Sequence, residues 1–453
     1  MIQMVGKTLK KKIGAEKSKG RKEGKLKSFS ERVGPKLDPK IRSMCLRCRG
    51  TKKLCGKPRC PVIAKFYSKL EGEKKSKASF DTDFIDGYSP PSVFIGRHNY
   101  PNVNVGPLVP PEKGDTSILS TPERWFGNAK MDDIIEYRSK LARGKKRLKN
   151  GIEIKKQSDK EVNLTRILTL SKKSAETEVK FRKKLSETIR FDNKSQPHGP
   201  SSEINSFRLG SMSTHKNLDK VFYDDDLKSE PAVMKLYKKD VKISRIQDLF
   251  MIGGTGLKDN RKFVPTRWSI TAIDEIIGRN LREKVKRYRP IDSYEVYSAK
   301  YLDNRWIILL IPSIWKYESI EAFYPETTWN PSKNSIAIYG DYEQIEGRSS
   351  YASIGGCYYS ARLAVAEKLE QRKRQAGAIV LREAHPGYIL PVGVWNVREA
   401  VRNALSTDPR KFDNKVQALS YLSKELDLSL KEWKSVSELL TEKVSQKRID
   451  EFF

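Results

Sequence analysis

Apolar residues change their period several times along the chain, and those changes mark out its elements. Through residue 43 no period is sustained and Lys and Arg dominate, which predicts a disordered tail. Val93 to Ile95 and Val103 to Val105 alternate on either side of a Gly- and Pro-rich centre. That pattern predicts a β-hairpin whose loop holds Arg97, His98 and Asn99. A helix is expected over 121–143, where Thr121 offers a cap and Pro122 takes the first helical position. Weak alternation over 144–220 reads as strands and long loops, and 224–237 and 241–250 as two helices. Ile270, Ile273 and Ile277 share one face of a helix that Ser269 or Thr271 would cap. Tyr294 to Leu302 and Arg305 to Ile311 read as strands joined at Asp303-Asn304, with Ser335 to Tyr339 as a third. Gly355-Gly356 opens a helix over 358–375 that Gly377 would end. Strands at 378–381 and 388–394 and helices at 396–405 and 415–445 complete the pattern. No internal repeat appears. The sum is an α+β protein, a mixed sheet-and-helix core rather than a regular βαβ array.

The segments group into a basic tail (1–43), a cysteine module (44–85), two α+β core regions (86–290 and 291–410), terminal helices (411–445) and a terminal peptide (446–453). The most apolar run, Trp306 to Ile314, is too short to span a bilayer, and the basic N-terminus lacks the apolar stretch of a secretory signal. A cytoplasmic, nucleoid-associated protein is expected. The net charge is +33, from 89 basic and 56 acidic residues. Such an excess favours polyanions, because each neutralised phosphate releases condensed counterions. Charge that serves solubility or heat tolerance is the alternative reading.

Four of the five cysteines follow the spacing Cys45-x2-Cys48-x6-Cys55-x4-Cys60. A Cys-x2-Cys turn aims two thiolates at one ion, and the second pair closes a tetrahedral site, so a structural zinc is expected. An iron–sulfur cluster satisfies the same spacing. Cys357 stands alone and reads as a small buried residue or a nucleophile.

The chain ends Gln446-Lys447-Arg448-Ile449-Asp450-Glu451-Phe452-Phe453. A short 3₁₀ turn over that octapeptide would bring Ile449, Phe452 and Phe453 to one side as an apolar plug, with Gln446 entering a polar pocket. The pattern matches the PIP box that docks on the PCNA sliding clamp.

Chemistry, if any, has to come from polar groups beside sheet-like runs. Arg97-His98-Asn99 is one such group. Lys262 with Arg267-Trp268 suits a phosphate and a stacked base. Asp341 and Glu343, at a strand exit, suit Mg²⁺ or Mn²⁺ or a general base, and with His98 they are the catalytic candidates. Glu383 and His385 form a fourth group. Gly253-Gly254-Thr255-Gly256 is glycine-rich but lacks the Lys-Ser/Thr of a P-loop.

Several runs together resemble the archaeal Nre ("novel repair") family. They are Cys45-x2-Cys48, PPSVFIGRHNYP at 90–101, VPTRWSITAID at 264–274, SSYASIGGCYYSARLA at 349–364 and PVGVWNVRE at 391–399. The terminal clamp motif is similar to one that family carries. The resemblance implies DNA repair, cooperation with the sliding clamp and overlap with nucleotide excision repair, and no settled chemistry. Two readings follow: a repair enzyme acting on a phosphodiester or modified nucleotide, or an adaptor that binds DNA and clamp and recruits other repair proteins. An RNA-processing factor would use the same charge but not the clamp motif.

Overall fold

The computed structural model describes residues 80, 82–148, 151–185, 198–325, 327, 330, 334–388 and 391–442. The basic tail, the four clustered cysteines and the terminal peptide lie outside the described residues.

Two six-stranded sheets organise the described chain. Sheet one contains β1 (Phe84–Ser89), β2 (Val93–Ile95), β3 (Asn104–Val109), β4 (Ala142–Arg147), β5 (Ala175–Phe181) and β6 (Ser201–Leu209), in the order β1-β5-β6-β4-β3-β2. Its pairings are antiparallel except β4 with β6. After a two-residue strand, β7 (Arg289–Pro290), sheet two contains β8 (Tyr294–Tyr301), β9 (Asn304–Ile311), β10 (Lys316–Phe323) and β11 (Ala337–Glu343). The short β12 (Arg374–Gln375) pairs with β7. Sheet two is completed by β13 (Gly377–Ala384) and β14 (Arg410–Phe412), in the order β11-β10-β13-β9-β8-β14. Only β10 and β13 run parallel within it.

Helices fill the space between the sheets. They are α1 (Met131–Ser139), α2 (Lys160–Leu168), α3 (Lys216–Phe222), α4 (Ser229–Tyr237), α5 (Ile243–Met251), α6 (Thr266–Val285), α7 (Gly356–Arg372) and α8 (Trp395–Ser406). One apolar core runs from the inner face of sheet one, through Val93, Ile95 and Val105, across these helices to Trp306, Ile308 and Val380 of sheet two. The other face of sheet two is covered by α9 (Lys415–Glu425), α10 (Leu430–Lys434) and α11 (Glu438–Thr441), around Ile307, Leu309, Leu422 and Trp433. This is the expected α+β class.

Several elements differ from the sequence reading, each for a local reason. The helix expected over 121–143 is shorter: Pro122 opens a single 3₁₀ turn and α1 begins at Met131. Neither Ser269 nor Thr271 caps α6. Pro265 holds the cap position, Ser269 Oγ donates to the Thr266 carbonyl, and Thr271 faces α7. The β8–β9 turn sits at Leu302-Asp303, one residue earlier than expected. Both residues have positive φ (50° and 53°), as a two-residue hairpin turn requires. Helix α7 ends at Lys373 in the left-handed conformation, not at Gly377. Gly377 instead begins β13, where a Cβ would lie 2.7 Å from Ser313 Oγ. Tyr388 and residues 391–394 form no strand but a turn into α8, closed by Trp395 Nε1–H to the Val392 carbonyl at 2.8 Å. The stretch 415–445 is broken into three helices, each started by a capping side chain: Asn414, Ser429 and Ser437.

Strand β10 had no sequence signal, because two charges interrupt it. Both are satisfied by distant partners. Glu318 accepts from the backbone N–H of Glu438 (2.8 Å) and Leu439 (3.2 Å) and from Ser437 Oγ, and Glu321 accepts from Arg382 Nη1 at 2.6 Å.

Candidate nucleic-acid interface

The β2–β3 hairpin is fixed from below by α5. The Arg245 guanidinium is buried and donates to the carbonyls of Pro91, Thr169 (2.7 Å) and Ser171 (2.7 Å). Asp248, beside it, accepts from Ser92 Oγ at 3.2 Å. Burial pushes the Asp248 carboxyl up to about 7, against the pull of Arg245. With the Pro90–Ser92 run held this way, β2 is aimed at the start of α6. There the Ile95 N–H donates to Thr266 Oγ1 at 3.0 Å.

Helices α6, α7 and α8 run parallel, so their amino ends gather at one place. Gly356 packs against Thr271 and Val394: a Cβ there would lie 3.2 Å from Thr271 Oγ1 and 3.1 Å from Val394 Cγ1. One turn further, Asp274 accepts from Ser360 Oγ and from Arg398 Nη1 (2.7 Å). Next, Gly278 of α6 packs against α7 at Leu363. The four runs 90–101, 264–274, 349–364 and 391–399 therefore converge, although the second and third are separated by most of sheet two.

Exposed aromatic rings cluster at this end. Tyr100 from the hairpin loop and Trp268 from the first turn of α6 lie with ring centroids 4.9 Å apart at 55°. They are 42% and 41% exposed. Tyr351, in the loop before α7, is 63% exposed and lies 5.3 Å from Tyr359. Arg97 and Arg267 flank the Tyr100–Trp268 pair in sequence; Arg97 is half-buried and Arg267 exposed. His98 is exposed at the hairpin tip. Lys262 is exposed and precedes α6 on a segment bridged to Glu153. The structure thus joins two of the sequence candidates, Arg97-His98 and Arg267-Trp268, in one surface. Tyr100 and Tyr351 were missed. The signal available for Tyr100 was an aromatic residue within a basic turn.

Asp341 and Glu343 lie elsewhere and are engaged. Glu343 is fully buried. Its Oε1 accepts from Arg282 Nη1 (3.3 Å) and Trp315 Nε1 (3.1 Å), and its Oε2 from Arg362 Nη1 (2.7 Å). Asp341 pairs with Arg348 through Oδ1, while Oδ2 accepts the Ser353 N–H at 2.7 Å. The oxygens that a Mg²⁺ or Mn²⁺ ion would need are held by guanidinium, indole and amide N–H groups. A second acidic group brings Glu383 and His385 together with Asp427. Here Glu383 accepts the backbone N–H of Leu428 (2.8 Å) and Asp427 (3.1 Å), and Arg305 donates to Asp427 at 2.8 Å. His385 Nε2 lies 3.5 Å from Asp427 Oδ2 and 3.9 Å from Glu383 Oε2.

The glycine run 253–256 is a structural turn. Gly253 and Gly256 have positive φ, and Arg261 donates to the carbonyls of Gly256 (2.8 Å), Phe222 and Asp224 (2.6 Å). Cys357 is buried in the first turn of α7. Among the described residues no helix is long and apolar enough to cross a membrane.

Known proteins are similar to this chain over most of its length. The family described as archaeal Nre, N-terminal, matches residues 54–330, and that described as archaeal Nre, C-terminal, matches 343–452. The chain is 38% identical over 397 residues to the DNA repair protein NreB of Archaeoglobus fulgidus, covering 87% of this chain and 96% of that protein. It is 32% identical over 393 residues to the DNA repair protein NreA of the same organism, covering 86% and 95%. To the DNA repair protein NreA of Haloferax volcanii it is 31% identical over 355 residues, covering 77% and 84%. No solved structure matches the chain.

Proposed function

The chain belongs to the archaeal Nre family, and from that premise we propose that it is a DNA repair protein that binds DNA and is tethered to the sliding clamp. The observation that carries the DNA reading is the exposed Tyr100–Trp268 pair with Arg97 and Arg267 beside it. Half-exposed rings offer stacking faces, and guanidinium groups pair with phosphates. The net charge of +33 supports the same partner.

The clamp reading rests on the spacing of Gln446, Ile449, Phe452 and Phe453 alone. Tethering raises local concentration at replicating DNA without any new contact to it. The zinc reading rests on the spacing of Cys45, Cys48, Cys55 and Cys60, whose closed set of thiolates suits a structural ion. Between the enzyme and the adaptor, the geometry favours the adaptor. Asp341 and Glu343 are tied into ion pairs, and His98 stands on a different element. A nucleoid-associated location follows from this reading.

The test is direct binding by the full chain. Labelled DNA should bind with an affinity that falls steeply with salt, and purified clamp should be retained by the intact chain but not after deletion of 446–453. Salt-independent DNA binding would remove the electrostatic account, and clamp retention by the deletion variant would remove the docking peptide. Metal analysis should return about one zinc per chain. Iron with visible absorbance would replace zinc by a cluster.

A further inference from the structure

Strand β4 reads Ala142-Arg143-Gly144-Lys145-Lys146-Arg147. Successive side chains of a strand point to opposite faces. Ala142 and Gly144 are buried on the inner face of sheet one. Lys146 shares that face and is consumed there by Asp159 (3.1 Å) and Glu161 (3.0 Å). Arg143, Lys145 and Arg147 occupy the other face; Arg143 and Lys145 are half-buried and Arg147 is exposed. The Arg143 guanidinium lies over the Phe94 ring of β2 at 4.3 Å.

The stripe leads to the aromatic pair. Asn104, where the hairpin loop rejoins the sheet, is paired with Arg147, and the Leu148 N–H donates to the Val103 carbonyl at 2.9 Å. A Cβ on Gly96 would lie 3.6 Å from the Phe94 ring, so that ring sits on the same side as the start of the loop. Arg143, Lys145 and Arg147 therefore climb along β4 to the loop that carries Arg97 and Tyr100, and Tyr100 meets Trp268.

We infer that this band is a track for single-stranded DNA, with phosphates along β4 and a base stacked on the Tyr100–Trp268 pair. The inference rests on the DNA-binding reading above and specifies its substrate. Residues two apart on a strand are separated by about 6.7 Å, close to the spacing of neighbouring phosphates along an extended single strand. A base can lie on a half-exposed ring only if it is free of its own neighbours, which a duplex interior does not allow. Stacking on aromatic rings with basic residues along the backbone is the general mode of single-strand recognition.

The test uses the full-length protein with a fluorescent oligothymidylate, the same strand paired to oligoadenylate, and oligouridylate. Binding is read by anisotropy and by quenching of tryptophan emission. Among the described residues Trp268 is the exposed tryptophan, and Trp125, Trp306, Trp315, Trp395 and Trp433 are buried. The single DNA strand is expected to bind at least about tenfold tighter than the duplex and to quench emission. Trp268→Phe should lose most of the quenching while still binding. Trp268→Ala should weaken single-strand binding by roughly tenfold and leave duplex binding nearly unchanged. Lys145→Ser with Arg147→Ser should weaken both and reduce the salt dependence. Equal or tighter duplex binding without quenching overturns the single-strand track and leaves the DNA reading standing. Tighter binding of the RNA strand overturns the assignment to DNA. Binding to none of the strands overturns both the track and the reading on which it rests.

Discussion

Sheets one and two carry similar numbers of charges but bury them to different depths. On sheet two and the helices packed against it, the buried guanidinium groups turn inward to acids: Arg362 to Glu343 and Glu275, Arg382 to Glu321, and Arg398 to Asp274. Those residues specify how helices and strands meet. On sheet one, Arg143, Lys145 and Arg147 lie on the face away from the core, half-buried or exposed, and the hairpin beside them carries the exposed ring of Tyr100. The difference teaches that a charged residue beside a strand is not by itself a functional one. What separates the two regions is how deeply the charged groups are buried.

The comparison is broken most severely inside sheet two. Glu343→Ala removes the buried carboxylate shared by Arg282 and Arg362, leaving Arg282 only Glu283 and Arg362 only Glu275, and unfolding by denaturant should show a loss of about 3–5 kcal/mol. If Glu343 were a catalytic base at a yielding site, the same change would leave stability nearly intact. Arg97→Ala with Arg267→Ala should do the reverse. DNA affinity is expected to fall about tenfold or more, while the unfolding free energy stays within about 0.5 kcal/mol of the parent. A large loss of stability would place those arginines among the structural ones.

A smaller effect concerns pH. The folded-state pKa of Asp248 is raised to about 7 by burial, so between about pH 4 and pH 7 the folded protein holds a proton that the unfolded chain has released. This group's contribution to stability is thus full at low pH, declines as pH rises through that window and is constant above it. Asp248→Asn should flatten that share of the profile, measured as the denaturation midpoint against pH. An unchanged slope would mean that the carboxyl ionises normally.

Much of this was legible in the sequence where pattern and chemistry coincide. The hairpin of Val93–Ile95 and the helix bearing Ile273 and Ile277 follow from local periodicity, and Arg97, Arg267 and Trp268 drew notice as a polar and aromatic group in turns. Strand β10 was hidden because Glu318 and Glu321 find partners at Ser437 and Arg382, far along the chain. Asp341 and Glu343 read as a carboxylate pair at a strand end, and the arginines around them, Arg348, Arg282 and Arg362, come from positions that local pattern does not connect to them. The convergence of the amino ends of α6, α7 and α8 was equally out of reach. It depends on close packing at Gly356, and spacing along the chain carries no trace of that.

The most direct test of the outward-facing surface is the slope of DNA affinity against salt, for the parent and for the Arg97→Ala, Arg267→Ala double variant. Each lost phosphate contact lowers the slope by about 0.7 to 0.9. The account predicts a shallower slope for the variant, by one to two such contacts. Parallel lines for the two proteins would contradict it and move the phosphate contacts to another face of the molecule.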